Sequence, residues 1–168
     1  MKNVIQVSPS GTLVYEDSRF PCALGKSGMT TQKKEGDGAT PAGDFPIRQI
    51  LFRTDRIERL ESKLPFTALK VSDGWCDDPA CPQYNQLVTL PHQGSHEKLW
   101  RDDHIYDLII TLGYNDAPAV PGKGSAIFLH IARENYTPTE GCIALSLPDA
   151  LKLLAEINEE TIVSVVAE

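Results

Sequence analysis

Short apolar runs separated by glycine and proline turns are the feature that most constrains the fold of this 168-residue chain. The runs NVIQVS and TLVYED flank the turn PSG, a pattern typical of a β-hairpin. Further strand-like runs are RFPCAL, DFPIRQILFR, TALKV, YDLIITLGY, AIFLHI and the C-terminal TIVSVV. The pattern predicts a mostly-β protein.

One helix is clearly indicated near the C-terminus, by SLPDALKLLAEINEE. Ser146 is its candidate N-cap, Pro148 lies in the first turn, and Asp149 follows the cap by three residues. Apolar residues then recur at helical spacing: Leu147, Ala150, Leu151, Leu154 and Ile157.

The chain has the length of one domain, and neither a linker nor an internal repeat divides it. We therefore expect residues 1–168 to form a single domain. The segment 72–103 contains both tryptophans and lacks a regular pattern, which predicts a long irregular insertion. Such insertions in compact domains often serve as lids or binding loops.

The charge balance excludes one class of partner. Sixteen basic and twenty-three acidic residues give a net charge of −7, which disfavours nucleic-acid binding because phosphate neutralisation needs a basic face. No apolar run approaches the roughly 18 residues of a membrane span. The N-terminus lacks the apolar stretch of a secretion signal, so we expect a cytoplasmic protein, or a periplasmic one if a signal has been removed. The sequence leaves the oligomeric state open.

Four residues have a spacing close to that of a zinc finger, C-x4-C-x10-H-x3-H: Cys76, Cys81, His92 and His96. In such fingers one helix carries both histidines. Here a proline and a glycine within LPHQGSHEK break that helix. The pattern therefore favours a polar loop with incidental cysteines and histidines over a metal site, and we expect neither a metal nor another cofactor.

Cys142, in the stretch YTPTEGCIAL, follows Gly141 and begins an apolar run, whereas His130 lies near the end of the run AIFLHI. From the residues alone two interpretations are open: a small buried hydrophobe, or a nucleophile with His130 as its base. Gly141 favours the second, because glycine lets the backbone approach a substrate closely. The loop 133–140 allows the two strand ends to meet, and a thiol nucleophile needs such a partner to lower its pKa.

Three motifs, in this order, resemble the L,D-transpeptidase catalytic-domain (YkuD-like) family. KKEGDGATPAGDFPI is similar to the family's segment G-x-x-x-T-P-x-G-x-[FY]-x-I, and the stretch 114–130 resembles the strand that delivers the catalytic histidine. PTEGCIAL resembles the signature [ST]-H-G-C-[IV]-[RN], with T-E-G-C in place of [ST]-H-G-C and Ala144 at the Arg or Asn position. The chain is thus identified as a variant subgroup. The resemblance implies a β-sandwich catalytic domain that acts on peptidoglycan stem peptides.

The resemblance also implies a mechanism. Cys142 attacks the carbonyl between the diamino acid and the terminal D-Ala of a tetrapeptide stem, while His130 passes the thiol proton to the departing amine. Backbone N–H groups around Gly141 and Cys142 hold the oxyanion. The main-chain carbonyl of Thr139 is expected to orient the imidazole. A thioester results, which water or an amine resolves.

Water is the acceptor that we favour, because crosslinking requires acceptor strands in the periplasm and the chain shows no signal. The expected activity is then that of an L,D-carboxypeptidase acting on soluble muropeptides during recycling. The first alternative is an L,D-transpeptidase that crosslinks peptidoglycan or exchanges its D-amino acids. The second is a non-catalytic binding or structural domain, which requires that His130 and Cys142 lie out of hydrogen-bond reach.

The substrate's carboxylates and diamino-acid side chain need charged partners. The candidates are Arg133, Arg101 and Lys98 for carboxylates, Glu140 for an ammonium group, and Tyr114, Tyr136 and Trp100 for the walls of the cleft. For each of these taken singly, a solvated or simply packed surface residue is the alternative.

Overall fold

A computed structural model describes residues 3–167, which form fourteen β-strands and one α-helix. The strands are β1 (Val4–Ser8), β2 (Thr12–Tyr15), β3 (Ser18–Pro21), β4 (Met29–Thr30), β5 (Thr40–Pro41), β6 (Gly43–Phe52), β7 (Phe66–Ala68), β8 (Asp73–Cys76), β9 (Leu87–Thr89), β10 (His96–Lys98), β11 (Leu108–Leu112), β12 (Phe128–Ile131), β13 (Ile143–Leu145) and β14 (Ile162–Val165), and the helix is α1 (Leu147–Glu156). A single 3₁₀ turn spans Glu134–Tyr136. The predicted mostly-β fold with one helix near the C-terminus is confirmed.

The helix α1 begins as its sequence indicates. The side chain of Ser146 accepts a hydrogen bond from the backbone N–H of Asp149 at 3.3 Å, which satisfies one of the free donors of the first turn. The helix ends at Glu156, four residues before the end of the predicted stretch. No helix within residues 3–167 has the length and apolar character that a membrane span requires.

The main sheet has the strand order β13-β12-β11-β6-β14-β1-β2-β3, with β7 paired to β6. Two isolated bridges, Ala23 with Ala144 and Gly25 with Thr139, join the segment after β3 to the region of β13. The two ends of the sheet therefore meet, and the sheet encloses a core of fully buried aliphatic residues, among them Ile5, Leu13, Ile50, Ile110, Leu129 and Leu145. This closure places the N-terminal strands beside the segment that carries Cys142.

The segment 72–103 differs from the irregular insertion that we expected, because it forms its own antiparallel sheet, in the order β10-β8-β9. Trp75 of β8 packs edge-on against Phe128 of β12, with 4.9 Å between the ring centroids. Leu99, just after β10, is fully buried in the same cluster as Phe128 and Cys142. Aromatic packing of this kind fixes the small sheet against β12.

Candidate active site

Cys142 and His130 lie on two adjacent parallel strands. In the β12–β13 pair, Leu129 is opposite Ile143 and His130 is opposite Ala144. The same register puts Cys142, one residue before β13, beside Phe128. Because side chains two residues apart in a strand share a face, Cys142 and His130 project to the same side of the sheet.

Both side chains line one cavity of about 430 Å³. Each is largely buried, with 8% of Cys142 and 6% of His130 exposed. The cavity also receives charged residues of both signs: Lys33, Arg101, Arg133, Glu35, Asp77, Glu97 and Glu140. A thiol, an imidazole and charged groups that converge in one concave site are the features of a candidate active site for a polar substrate.

The thiol of Cys142 is protonated at rest. It donates to the backbone carbonyl of Ala126 at 3.1 Å and accepts from the N–H of Phe128 at 3.4 Å. Burial raises its pKa to about 12, because a thiolate loses hydration there. Among the described residues, the thiol makes no hydrogen bond to His130, so the pair is not a preformed thiolate–imidazolium. The resting geometry by itself thus meets the condition stated above for a non-catalytic domain, and catalysis requires the thiol to turn away from Ala126.

His130 is held as a neutral base. Its Nδ1 lies 3.0 Å from the backbone carbonyl of Ile131, and because a carbonyl only accepts, Nδ1 carries the proton and Nε2 has the free lone pair. Burial lowers its pKa to about 4. The expectation that the carbonyl of Thr139 orients the ring is wrong: Ile131 does so, and the Thr139 carbonyl accepts the N–H of Lys26 at 2.8 Å.

Thr139 instead shapes the turn before the nucleophile. Its hydroxyl donates to the carbonyl of Cys142 at 2.6 Å and accepts the N–H of Gly141 at 3.1 Å. Gly141 has φ +142°, and a Cβ there would lie 2.8 Å from the carbonyl oxygen of Ala39, so the turn requires glycine. Because the Gly141 N–H is already bonded, it is not a free oxyanion donor as we expected.

The charged candidates from the sequence reach the cavity in different states. Arg101 is bound in a bidentate pair to Asp103, with N–O distances of 2.8 and 2.6 Å. Arg133 is half exposed and contacts the same carboxylate only at 3.5 Å, which leaves most of its donors available. The side chain of Glu140 is 80% exposed and pairs with Lys26 at 2.9 Å.

The predicted aromatic walls lie elsewhere. Trp100 stacks under the guanidinium of Arg53, 3.6 Å from its ring centroid, and lines a different cavity together with Lys98. Tyr114 packs against Phe45 and donates to the carbonyl of Lys123 at 2.5 Å. Tyr136 lies in the 3₁₀ turn and does not line the catalytic cavity.

The cavity walls contain acidic residues that sequence reasoning missed. Asp77 and Glu97 come from the 72–103 sheet, and Oδ1 of Asp77 is buried without a hydrogen-bond partner among the described residues. Tyr106 donates to Glu97 at 2.5 Å and packs edge-on against the ring of His130, at a centroid distance of 5.3 Å. Burial raises the pKa of Glu97 above its usual range. A buried acceptor without a donor is costly, so a bound donor group would stabilise Oδ1 of Asp77.

Asn85 fixes the backbone that faces the nucleophile. Its buried side-chain carbonyl accepts from Trp75 and from the N–H of Ala126, at 2.9 and 3.0 Å. Its amide donates to the carbonyls of Tyr114 and Asn115, at 2.9 and 2.8 Å. Asn85 thereby connects the 72–103 sheet to the carbonyl that holds the Cys142 thiol. No local sequence pattern signals this role.

The other cysteine–histidine group is also brought together. The ligand atoms of Cys76, Cys81 and His92 all lie within 4.8 Å of one another. His96, directly opposite Cys76 in the β8–β10 pair, has its ring centroid 5.8 Å from that of His92. This arrangement differs from the incidental polar loop that the sequence favours.

Comparison with models of known protein families identifies one family. Residues 2–165 match the family model of the L,D-transpeptidase catalytic domain (YkuD). A search of curated proteins finds no significant match. Among solved structures, L,D-transpeptidase 1 from Mycobacterium tuberculosis is 15% identical, with a TM-score of 0.44, and the alignment covers 97% of this chain and 58% of that one.

Two further solved structures are similar. L,D-transpeptidase 3 from Mycobacterium tuberculosis is 16% identical, with a TM-score of 0.47 and coverage of 97% of this chain and 60% of that one. An L,D-transpeptidase from Mycobacterium smegmatis is 14% identical, with a TM-score of 0.44 and coverage of 98% and 58%. The chain thus spans about three fifths of the length of these structures.

Proposed function

The chain belongs to the L,D-transpeptidase catalytic-domain family, and on that premise we propose that it is a cysteine acyl-transfer enzyme that acts on peptidoglycan stem peptides. The observation that carries the proposal is the placement of Cys142 and His130 on one face of adjacent strands, in a shared cavity. A thiol and an imidazole so placed are suited to nucleophilic attack on an amide.

Because both groups are neutral at rest, the reaction begins with general-base catalysis. The thiol of Cys142 leaves its contact with Ala126 and gives its proton to Nε2 of His130 as sulfur attacks the carbonyl of the diamino acid. The C–N bond to D-Ala then breaks, and the proton passes from His130 to the departing amine. The product is a thioester on Cys142.

The negative charge that develops on the carbonyl oxygen needs backbone donors. The N–H of Gly141 is engaged by the hydroxyl of Thr139. We therefore assign the oxyanion contact to the N–H of Cys142, on the turn that Thr139 holds in place. Thr139 is a positioning residue in this scheme.

The charges of the cavity fit the two polar ends of a tetrapeptide stem. Among the described residues, the only ionic contact of Arg133 is with Asp103, at 3.5 Å. Its guanidinium therefore has donors available for the D-Ala carboxylate. On the wall formed by the 72–103 sheet, Asp77 and Glu97 offer carboxylates to the ammonium group of the diamino acid. The unpartnered oxygen of Asp77 gains a donor when that group binds.

Water is the proposed acceptor, which makes the enzyme an L,D-carboxypeptidase. A cavity of about 430 Å³ is at the small end of the range for ligand sites, and accommodates the end of one stem. Water needs no second peptide site. It attacks the thioester, His130 accepts one of its protons, and the thiol re-forms as the tripeptide acid leaves. We propose soluble muropeptides as substrates and the cytoplasm as the site of action.

The test is incubation of the purified protein with tetrapeptide stems, with and without a D-amino acid as acceptor, followed by mass spectrometry. We expect tripeptide and free D-Ala in both reactions. Exclusive formation of the exchanged tetrapeptide would show that the acceptor is an amine and the enzyme a transpeptidase. Intact substrate in both reactions would contradict acyl transfer on this substrate altogether.

Location is tested separately, by fractionating cells that express the full-length gene from its own start codon. We expect the protein in the cytoplasmic fraction, and recovery with periplasmic markers would contradict that part of the proposal alone.

A further inference from the structure

The cluster of Cys76, Cys81 and His92 lies outside the catalytic machinery and combines two sulfur ligands with one nitrogen ligand. Cys76 is at the end of β8 and fully buried, whereas Cys81 and His92 are on the loops that follow β8 and β9 and are partly exposed. Their ligand atoms lie within 4.8 Å of one another. Two thiolates and an imidazole are the ligand types that zinc prefers in proteins.

The distance between two of the ligand atoms matches a tetrahedral centre. Sγ of Cys81 lies 3.6 Å from Nε2 of His92. Zn–S and Zn–N bonds of about 2.3 Å and about 2.05 Å, at a tetrahedral angle, separate the two ligand atoms by about 3.6 Å. The thiol and imidazole are therefore already at the distance at which one cation contacts both.

Groups around the cluster support the ligands. The N–H of Gln83 donates to Sγ of Cys81 at 3.4 Å, a contact that stabilises a thiolate. His96 donates from Nδ1 to the carbonyl of Gly94 at 2.8 Å, which leaves Nε2 free to ligate. Histidines that bind metals characteristically donate their other N–H to such an acceptor.

We propose that Cys76, Cys81 and His92 bind a zinc-type divalent cation, and that His96, which lies beside these three converging ligands, moves towards the ion to supply Nε2 as the fourth ligand. Each thiol releases its proton to solvent as its sulfur ligates the cation, so that two protons leave for each ion bound. The pairing of β8 with β10 places His96 opposite Cys76. In a zinc finger a helix brings the histidines to the metal, whereas here the strand pair brings His96 near the cluster.

The ion connects the parts of the sheet that line the catalytic cavity. Asp77 directly follows Cys76, and Glu97 directly follows His96. Cross-linking β8, β10 and the two intervening loops restrains both carboxylates. The site is structural, and it holds the acidic wall rather than joining the acyl transfer.

The experiment is a Co²⁺ titration of the full-length, untagged protein, after reduction and removal of metal with a chelator. We expect visible d–d bands of tetrahedral intensity and a thiolate-to-cobalt charge-transfer band, both saturating at one ion per chain and both displaced by Zn²⁺. Zn²⁺ alone should raise the midpoint of thermal unfolding in proportion to its occupancy.

Variants assign the ligands. Cys81→Ala and His92→Ala change partly exposed residues, so we expect folded proteins by circular dichroism with Co²⁺ affinity reduced by at least about 100-fold. Cys22→Ala and His104→Ala are the matched controls, a cysteine and a histidine outside the cluster, and should keep the full signal. His96→Ala should weaken binding and change the d–d envelope, because water replaces a nitrogen ligand.

Three results would overturn the proposal. One is the absence of charge-transfer absorption and of any Zn²⁺ effect on unfolding in protein whose four thiols are confirmed as reduced. Another is the same Co²⁺ signal in Cys81→Ala and His92→Ala as in the unchanged protein. The third is a Cys76–Cys81 disulfide that, once reduced, gives a dithiol with no affinity for either metal.

Discussion

The molecule contains two cysteine–histidine groups that differ in nearly every physical respect. Cys142 and His130 share a cavity, are almost fully buried and make no hydrogen bond to each other among the described residues. Cys81 and His92 are partly exposed, and Sγ of Cys81 lies 3.6 Å from Nε2 of His92. The pair whose side chains contact each other is the one that does not line the cavity.

The difference teaches that separation alone does not identify a catalytic pair. In the cavity, burial keeps Cys142 protonated and His130 neutral, so proton transfer awaits the substrate. In the proposed metal site, Cys81 and His92 converge with Cys76 in the absence of any substrate. What marks a catalytic pair is a shared cavity and a protonation state suited to proton transfer, whereas what marks a metal site is the distance between its ligand atoms.

The largest expected contrast is in turnover. Cys142→Ala should reduce D-Ala release from a tetrapeptide stem by at least about 1,000-fold, because it removes the nucleophile. Cys81→Ala should change kcat by less than about threefold, because loss of the ion loosens the acidic wall and acts on KM instead. Mass-spectrometric initial rates for both variants decide the matter. Loss of turnover in Cys81→Ala but not in Cys142→Ala would show that Cys81, and not Cys142, is the nucleophile.

The second contrast is in the pH dependence of stability. Burial depresses the folded pKa of His130 from 6.5 to about 4, so between these pH values the unfolded chain binds a proton that the folded chain does not. The stabilisation is complete above pH 6.5 and is lost as the pH falls towards 4. The loss amounts to roughly 3 kcal/mol.

Urea unfolding at several pH values measures this effect. The difference between the unchanged protein and His130→Asn should show that loss. A flat difference curve for His130→Asn would mean that its imidazole is not held neutral by burial.

The third contrast uses two glycines. Gly141→Ala should destabilise the fold by about 1–3 kcal/mol and lower kcat, since its Cβ meets the Ala39 carbonyl at 2.8 Å on backbone of positive φ. Gly94→Ala should act on Co²⁺ affinity instead, because its Cβ approaches Asp78 and His92 at 3.1 Å. Denaturation, turnover and metal titration on both variants separate the two effects. A reversed pattern would contradict the roles assigned to the two regions.

The smallest effect concerns the acid limb of the rate profile. In the free enzyme His130 is neutral, so kcat/KM should fall only as the pH drops through about 4. At pH 5, kcat/KM should be reduced by less than about twofold from its value at neutral pH. If His130 had an ordinary pKa, kcat/KM would be reduced by about 30-fold at that pH. A limb near pH 6.5 would indicate that His130 titrates as an exposed histidine does.

The sequence predicts the nucleophile region better than its surroundings. Cys142 and His130 are recognisable because reactive residue types occur in short motifs at strand ends. Asp77, Glu97 and Asn85 are not, because β8, β9 and β10 are only three or four residues long and their pairing depends on contacts that no local period encodes.

The two incorrect expectations within the site have the same cause. The imidazole acceptor is Ile131 rather than Thr139, and the Gly141 N–H is already bonded to Thr139. Both hydrogen bonds depend on the direction in which a backbone carbonyl or N–H points, and the residue type does not determine that direction. The sequence argued against a metal site because a zinc finger needs a helix there, whereas Cys76 and His96 face each other across two paired strands.

The bridge between Ala23 and Ala144 has a consequence for biosynthesis. It joins a residue made early in translation to one made late, directly beside the nucleophile. Pairings of such large sequence separation form slowly, because loop closure costs entropy before any contact rewards it. The sheet therefore cannot close until Ala144 has been made, and the shared cavity of His130 and Cys142 forms only after the ribosome has released the strands that close the sheet.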